Sequence, residues 1–329
     1  VGPVDLRREL EGLASERAWD EILKRTARLD DAALLADPKV AYLVAEARVH
    51  LGHMDRALNL ALAAEAEFRT RHDTVNLLTA LNLAGVVQFE LGDLSGAEER
   101  FFELLELARE RENEEMSGRA TNNLGAIASL RGDDEKALSL FRLSIPSYQK
   151  VGFQIGLAQT DHNLGIAHRD LGRWHEAERH YDGALRRARQ LGDQRLAAMA
   201  RVGQAEVSHR RGDHEYAGAE VRYALEVFAA IGDELGRCDA LKLLGSIALA
   251  RSDYEEANRC LAGALELARQ YANPLLEAEI LEERAELHER TGHLALAHAD
   301  AEVAGAIYRR LGATKREQQA LERLRRIAS

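Results

Sequence analysis

Aromatic residues are scarce in this 329-residue chain: Phe, Trp and Tyr together make up 5%. With 46% of residues hydrophobic there is still enough apolar material for a core, so Leu, Ala, Val and Ile must build it. Proline occurs four times, a scarcity that suits long helices, whose interior turns it disrupts. There are two cysteines, Cys238 and Cys260. They fall on opposite helices of one expected hairpin and are not level across its turn at Ser252. Two reduced, buried thiols are therefore expected, in keeping with a cytoplasmic protein. No run of 18 apolar residues exists, so no membrane-spanning helix is expected. The chain opens Val1-Gly2-Pro3, with neither a methionine nor an apolar signal segment, which reads as a processed chain or a piece of a longer protein. Acidic residues outnumber basic ones 55 to 44, giving a formal net charge of −11. That balance argues against generic binding to nucleic acid or anionic membrane, which needs basic surface.

Signatures of catalysis are missing too. There is no Gly-x-Ser-x-Gly, no Walker-type phosphate loop, no Cys-x-x-Cys and no dinucleotide fingerprint. Neither an enzyme nor a cofactor is expected. His162, His168, His175 and His180 cluster, as do His288, His293 and His298. His175-Glu176 followed by His180 lacks the four-residue spacing of the zinc-protease motif, and no cluster has Cys or carboxylate partners at metal-ligand spacing. They read as surface or groove histidines, with no metal site.

What the chain does have is a period of 40 residues. Gly52, Gly92, Gly132, Gly172, Gly212, Ser252 and Gly292 recur at that step. Five residues after each stands an alanine, from Ala57 to Ala297. Seven before each stands another small residue: Ala45, Gly85, Gly125, Gly165, Ala205, Gly245 and Ala285. Repetition at this period means a stacked array in which each unit buries its neighbour's face. Within a unit, the two small positions flank a turn, where two helix backbones approach closely. Gly92-Asp93, Gly132-Asp133 and Gly212-Asp213 combine a residue for the left-handed helix end with an N-cap for the next helix. A larger apolar residue, such as Phe101, Phe141 or Tyr181, follows nine after the turn and fills the hairpin core.

Gly125, Ala137 and Phe141 have the spacing of the small, small and large positions of the tetratricopeptide repeat, which this chain resembles over roughly residues 38–312. The 40-residue period exceeds that family's usual 34, and the extra residues are expected to lengthen the helices and the second turn. Asn123-Leu124-Gly125 and Asn163-Leu164-Gly165 resemble the repeats of Pins-type adaptors and the helical sensor regions of MalT- and AfsR-type bacterial regulators. The resemblance implies an all-α, right-handed superhelical solenoid of about seven hairpins with terminal capping helices. Residues 1–37 read as capping helices or a degenerate repeat, with two short helices over 5–29. Residues 38–312 hold the repeats and 313–329 a C-terminal capping helix. Hairpins are expected at about 38–70, 74–111, 114–150, 154–190, 194–231, 234–271 and 274–311. Pro146 falls inside a helix and predicts a kink or an early end there.

In this family the first helices of successive hairpins line the inner face. Carried over position by position, that implies a peptide-binding groove formed by Asn82, Phe89, Arg119, Asn122, Asn123, Gln159, His162, Asn163, Arg169 and Lys242. Asn amides, both donors and acceptors, suit the backbone of a peptide, and Arg119 and Arg169 suit ligand carboxylates. The expected partner is a protein or peptide with some acidic character. The family's clamp for chaperone tails does not carry over, since Tyr42 and Glu46, or Asn82 and Val86, stand at its Lys and Asn positions. The glutamates of the seventh hairpin, Glu277 to Glu289, are expected to pair in part with Arg284, Arg290 and the basic last helix (Lys315, Arg316, Arg323, Arg325, Arg326). A non-enzymatic binding scaffold is the expectation, with the sensor region of a larger bacterial regulator as the alternative. A homodimer would form through the terminal helices, 1–30 or 314–329.

Overall fold

A computed structural model describes residues 3–328, with side chains over 6–327. Val1, Gly2 and Ser329, the ends of the two expected caps, lie outside the described residues. The described residues form eighteen α-helices and no strands. Three short ones come first: α1 (Pro3–Ser15), α2 (Trp19–Thr26) and α3 (Asp31–Leu35). Hairpins follow as α4–α5 (Pro38–His50, Met54–Thr70), α6–α7 (Thr74–Glu90, Leu94–Glu110) and α8–α9 (Glu114–Leu130, Asp134–Lys150). Then come α10–α11 (Gln154–Asp170, Trp174–Leu191), α12–α13 (Gln194–Arg210, His214–Ile231), α14–α15 (Glu234–Ala250, Tyr254–Gln270) and α16–α17 (Pro274–Arg290, Leu294–Leu311). The last helix is α18 (Thr314–Ala328). The seven hairpins and the terminal helix stand where the period places them. We call the first helix of each hairpin the A helix and the second the B helix. None of the described helices is long and apolar enough to cross a membrane.

The turns explain the regularity. From Gly52 to Gly312, a residue with positive φ stands at every twentieth position, including His72, Glu112, Ser252 and Ala272. After most of them an Asp or Asn accepts a hydrogen bond from the backbone N–H three residues on, as Asp93 does from Gly96 and Asn273 from Leu276. Both connections of each repeat are therefore equally short, and the second is not lengthened as expected. The additional residues of the long repeat lie in its helices. Two more expectations are corrected. The N-terminal segment adds a third short helix, α3, capped by Asp30. Helix α9 does not end early at Pro146 but runs on to Lys150. Only one backbone N–H is lost at a proline, and the helix is held on both sides of it by buried Phe141, Ser144 and Tyr148.

The core is built from the small and large positions. A Cβ placed on Gly125 would lie 2.6 Å from the Phe141 ring, and one on Gly85 would lie 2.6 Å from Phe101. Gly165 and Gly203 meet the two sides of Tyr181 in the same way, at 2.6 and 2.3 Å, so this ring joins the A helices α10 and α12. Cys238 and Cys260 are both buried free thiols, and burial raises the pKa of each.

The chain divides into two compact units, Val1–Ala120 and Thr121–Ser329. In the first, α4 packs on α1, α2, α3, α5 and α6, and Trp19 stacks on His50 with ring centroids 4.2 Å apart. In the second, each A helix from α10 to α16 contacts its own B helix and the next A helix. That arrangement sets the inner faces of the A helices side by side.

Candidate functional site

All ten sequence-predicted groove residues lie on A helices: α6, α8, α10 and α14. In the first unit, Asn82 and Phe89 are half-buried, and Arg119 pairs with Glu115 one turn back at 2.9 Å. Arg119 also acts on a buried pair of α4, where the Tyr42 hydroxyl donates to Glu46 at 3.1 Å. Burial raises the pKa of both Tyr42 and Glu46, and Arg119 opposes both shifts.

In the second unit the remaining residues separate into two chemistries. One end is uncharged. The Thr160 hydroxyl donates to Asn122 Oδ1 at 3.1 Å, and Asn163 Nδ2 donates to the same oxygen at 3.4 Å. Thr160 also lies 3.1 Å from the Ser144 hydroxyl, so a buried polar chain links α8, α9 and α10. Asn123 and Asn163 are half-buried beside it and Gln159 is exposed. His162, on the same helix, meets the Tyr181 ring at 5.6 Å between centroids, and the charge of Arg169 acts on both rings, so this pair borders the charged groups. Neither His162 Nδ1 nor the Tyr181 hydroxyl has a hydrogen-bond partner among the described residues, although both atoms are buried. Burial pushes the His162 imidazole down to about 4, so it is neutral at pH 7.

The other end is a ladder of alternating charge. Arg169 on α10 pairs with Glu206 on α12, and Lys242 on α14 pairs with Glu279 on α16. Arg316 on α18 pairs with the other Glu279 oxygen at 2.5 Å. Partners on successive helices are 37 residues apart, the step at which neighbouring A helices come level. Arg169 is also held by Asp170 at 2.8 Å, and Lys242 by Asp239 at 2.8 Å. Burial alone would raise the Glu279 carboxyl, but Arg316 and Lys242 outweigh it and hold it at about 2. Burial acts likewise against Arg169 and Lys242, and their carboxylate partners raise both pKa values overall. Arg169, Lys242, Glu279 and Arg316 are therefore charged, and each is already paired. Arg169 thus differs from its expected role as an anchor for a ligand carboxylate, because Glu206 and Asp170 occupy it.

Sequence reasoning missed the ladder. Its signal was present as Arg, Glu, Lys, Glu and Arg at positions 169, 206, 242, 279 and 316. That step of about 37 was hidden behind the stronger period of 40. It also undervalued the seventh hairpin, whose Glu279, Glu282 and Glu283 are largely enclosed. Burial raises the pKa of Glu282, which accepts from the Tyr308 hydroxyl at 2.8 Å, and of Glu283. No group of three or more His, Cys, Asp or Glu side chains placed to hold a metal ion occurs among the described residues.

The tetratricopeptide repeat family matches residues 156–234, nearly all of the hairpins α10–α11 and α12–α13. No curated protein sequence matches the chain. Among solved structures, a Rap protein complexed with competence and sporulation factor superposes with a TM-score of 0.64 at 15% identity, covering 99% of this chain and 95% of that one. The Rap conjugation gene regulator of plasmid pLS20, in complex with the Phr* peptide, gives 0.68 at 16% identity, over 86% of this chain and 76% of that one. A signal transduction ATPase with a tetratricopeptide repeat sensor from Pyrococcus horikoshii gives 0.53 at 18% identity, over 81% of this chain and 42% of that one. At these identities the likeness is one of fold: an all-α array of tetratricopeptide-like hairpins.

Proposed function

We propose that this chain is a non-enzymatic peptide-binding scaffold. The peptide docks on the uncharged end of the inner face in the second unit, over α8 and α10. One observation carries the reading. Asn122 and Asn163 on adjacent A helices share a hydrogen bond, with Asn123 half-buried and Gln159 exposed on the same helices, so amide groups are concentrated there. Amide side chains satisfy a peptide backbone whatever its sequence, so they give affinity, and neighbouring side chains give selectivity. The charged ladder frames the site and keeps the A helices in register. Two of the fold relatives are described as complexes, one of them with a peptide, which supports the same reading.

The test is selection of random peptides on the full chain, followed by titration calorimetry of the best binder. An Asn123→Ala/Gln159→Ala/Asn163→Ala variant is expected to lose at least about tenfold in affinity, or about 1.4 kcal/mol, while keeping its helical circular dichroism. Unchanged affinity would sink the placement, and a selection that yields no binder would sink the peptide reading. A second reading is favoured by one observation: the relative with the repeat sensor is matched over 42% of its length, so this fold also serves as part of a larger chain. On that reading the same face senses its ligand for an attached domain.

A further inference from the structure

A repeat array is joined between neighbours, because each unit buries the face of the next. The second unit has a contact that departs from this rule. The Thr314 hydroxyl, at the start of α18, donates to the Arg131 carbonyl in the turn between α8 and α9 at 3.2 Å, across 183 residues of sequence. Beside it Lys315 pairs with buried Asp134 at 2.9 Å. A Cβ on Gly132 would lie 2.7 Å from the Lys315 Cβ, so the lysine stem fills the space that a side chain in this turn would need. The ladder explains why these two places meet. One step of 37 residues back from Arg169 is Gly132, and the far end of the ladder is Arg316, next to Lys315. The level line through α8, α10, α12, α14, α16 and α18 therefore starts and ends at this contact. Across the turn that it closes, Arg169 on α10 acts on Glu279, and Asp170 acts on Arg316.

The sequence leaves its repeat pattern at both partners. Two residues after the turn position, the other six hairpins have Met54, Leu94, Trp174, His214, Tyr254 and Leu294. The third hairpin has an acid instead, Asp134, which is 5% exposed. It lies in the first turn of α9, where the helix dipole also favours a carboxylate. At the place of Lys315, counting back in steps of 40, α14 and α16 have Leu235 and Leu275. Opposite charges thus stand where the closed turn, and nothing in the repeat itself, brings them together.

We propose that this contact is a clasp that fixes the curvature of the second unit and, through α8, positions the peptide face. A stack of repeats adds a small rotation at each step, so its curvature is adjustable unless separate turns are tied. Lys315 compensates a nearly enclosed carboxylate, which makes the tie specific to this pair. Asn122 and Asn123 stand on α8 about ten residues before the clasp, or about 15 Å along a rigid helix. A shift of α8 at the clasp changes the spacing of Asn122 from Asn163 on α10. Clasp and peptide share this helix, so each biases the other by the same factor. The link to the peptide rests on the reading of the preceding section, and the closure does not.

Spin labels are placed on the full chain through Lys136→Cys and Gln318→Cys, both exposed, while the native Cys238 and Cys260 are buried. Double electron–electron resonance is compared for the labelled chain as it stands and with Lys315→Arg, Lys315→Met or Asp134→Asn. Lys315 is 47% exposed and Asp134→Asn keeps the side-chain shape, so all are expected to fold, which circular dichroism checks. A single narrow distance is expected with the clasp intact and with Lys315→Arg. A longer, broader distribution is expected with Lys315→Met and Asp134→Asn. The same narrow distance in all four would overturn the clasp. This readout needs no peptide, so it judges the closure even where peptide selection yields no binder. A peptide selected on the unaltered chain is expected to bind Lys315→Met and Asp134→Asn at least about fivefold more weakly, with Lys315→Arg unchanged. By the same coupling, saturating peptide is expected to narrow their distance distributions. Longer distances with unchanged affinity would overturn the link between clasp and peptide face.

Discussion

Gly125 has no side chain because the Phe141 ring occupies the place where one would stand. Replacing it by Ala gains about 1 kcal/mol of helix propensity but forces a fully buried ring aside, which costs about 1–3 kcal/mol. Gly125→Ala is therefore expected to lower unfolding free energy by up to about 2 kcal/mol, read from the urea midpoint. A stabilised variant would contradict the close approach of α8 and α9. Such small and large partners were legible in sequence, since close packing restricts which residue types fit. The partners of Arg169 and Lys242 were not, because a charge pairs with whatever counter-charge the neighbouring helix brings level. At the same scale, burial holds neutral His162 near 4 against an ordinary value of about 6.5. The unfolded state thus binds more protons between those values. The stability linked to this residue is complete above about pH 6.5 and declines as pH falls toward 4. An NMR titration should show a His162 ring signal that stays flat from about pH 8 to about pH 5. A midpoint near 6.5 would refute its burial.

The helices owe their spacing to the turns, and the turns are the part of this fold most readable from sequence. Gly-Asp pairs marked many of them, and the remaining left-handed positions could be placed only by counting, because His72, Glu112 and Ala272 carry no turn signal. Ala272 has φ of 50°, a conformation disfavoured by about 1–2 kcal/mol for a residue with a Cβ. Ala272→Gly is expected to raise stability by about 1 kcal/mol, seen as a higher urea midpoint with unchanged slope. A lower midpoint would mean that the turn is not under this strain. Between helices, Glu279 is the link from α14 to α18, held by Lys242 on one side and Arg316 on the other. Removing one partner of a buried pair leaves the other charges uncompensated. Glu279→Ala is expected to cost about 2–4 kcal/mol, toward the lower figure because Lys242 keeps Asp239. A loss under about 0.5 kcal/mol would show the ladder to be ordinary exposed surface.

For the whole molecule, the period of 40 determined the architecture and left the division at Ala120 unseen, since no break in composition or register marks it. The inner face was legible only as a set of A-helix positions. Their sorting into an amide end and a self-paired charged end required coordinates, because it depends on which neighbours come level. That sorting is the basis of our proposal that a peptide docks at the amide end, since the charged end is already satisfied. The claim is tested most directly by site-specific photocrosslinking. A benzoyl-phenylalanine side chain is placed at Gln159 on α10 or at exposed Arg179 on α11, and the protein is irradiated with a peptide selected on the unaltered chain. A crosslink from position 159 with none from 179 is the predicted result. Crosslinking from 179 with none from 159 would place the peptide on a B helix and contradict an inner-face site.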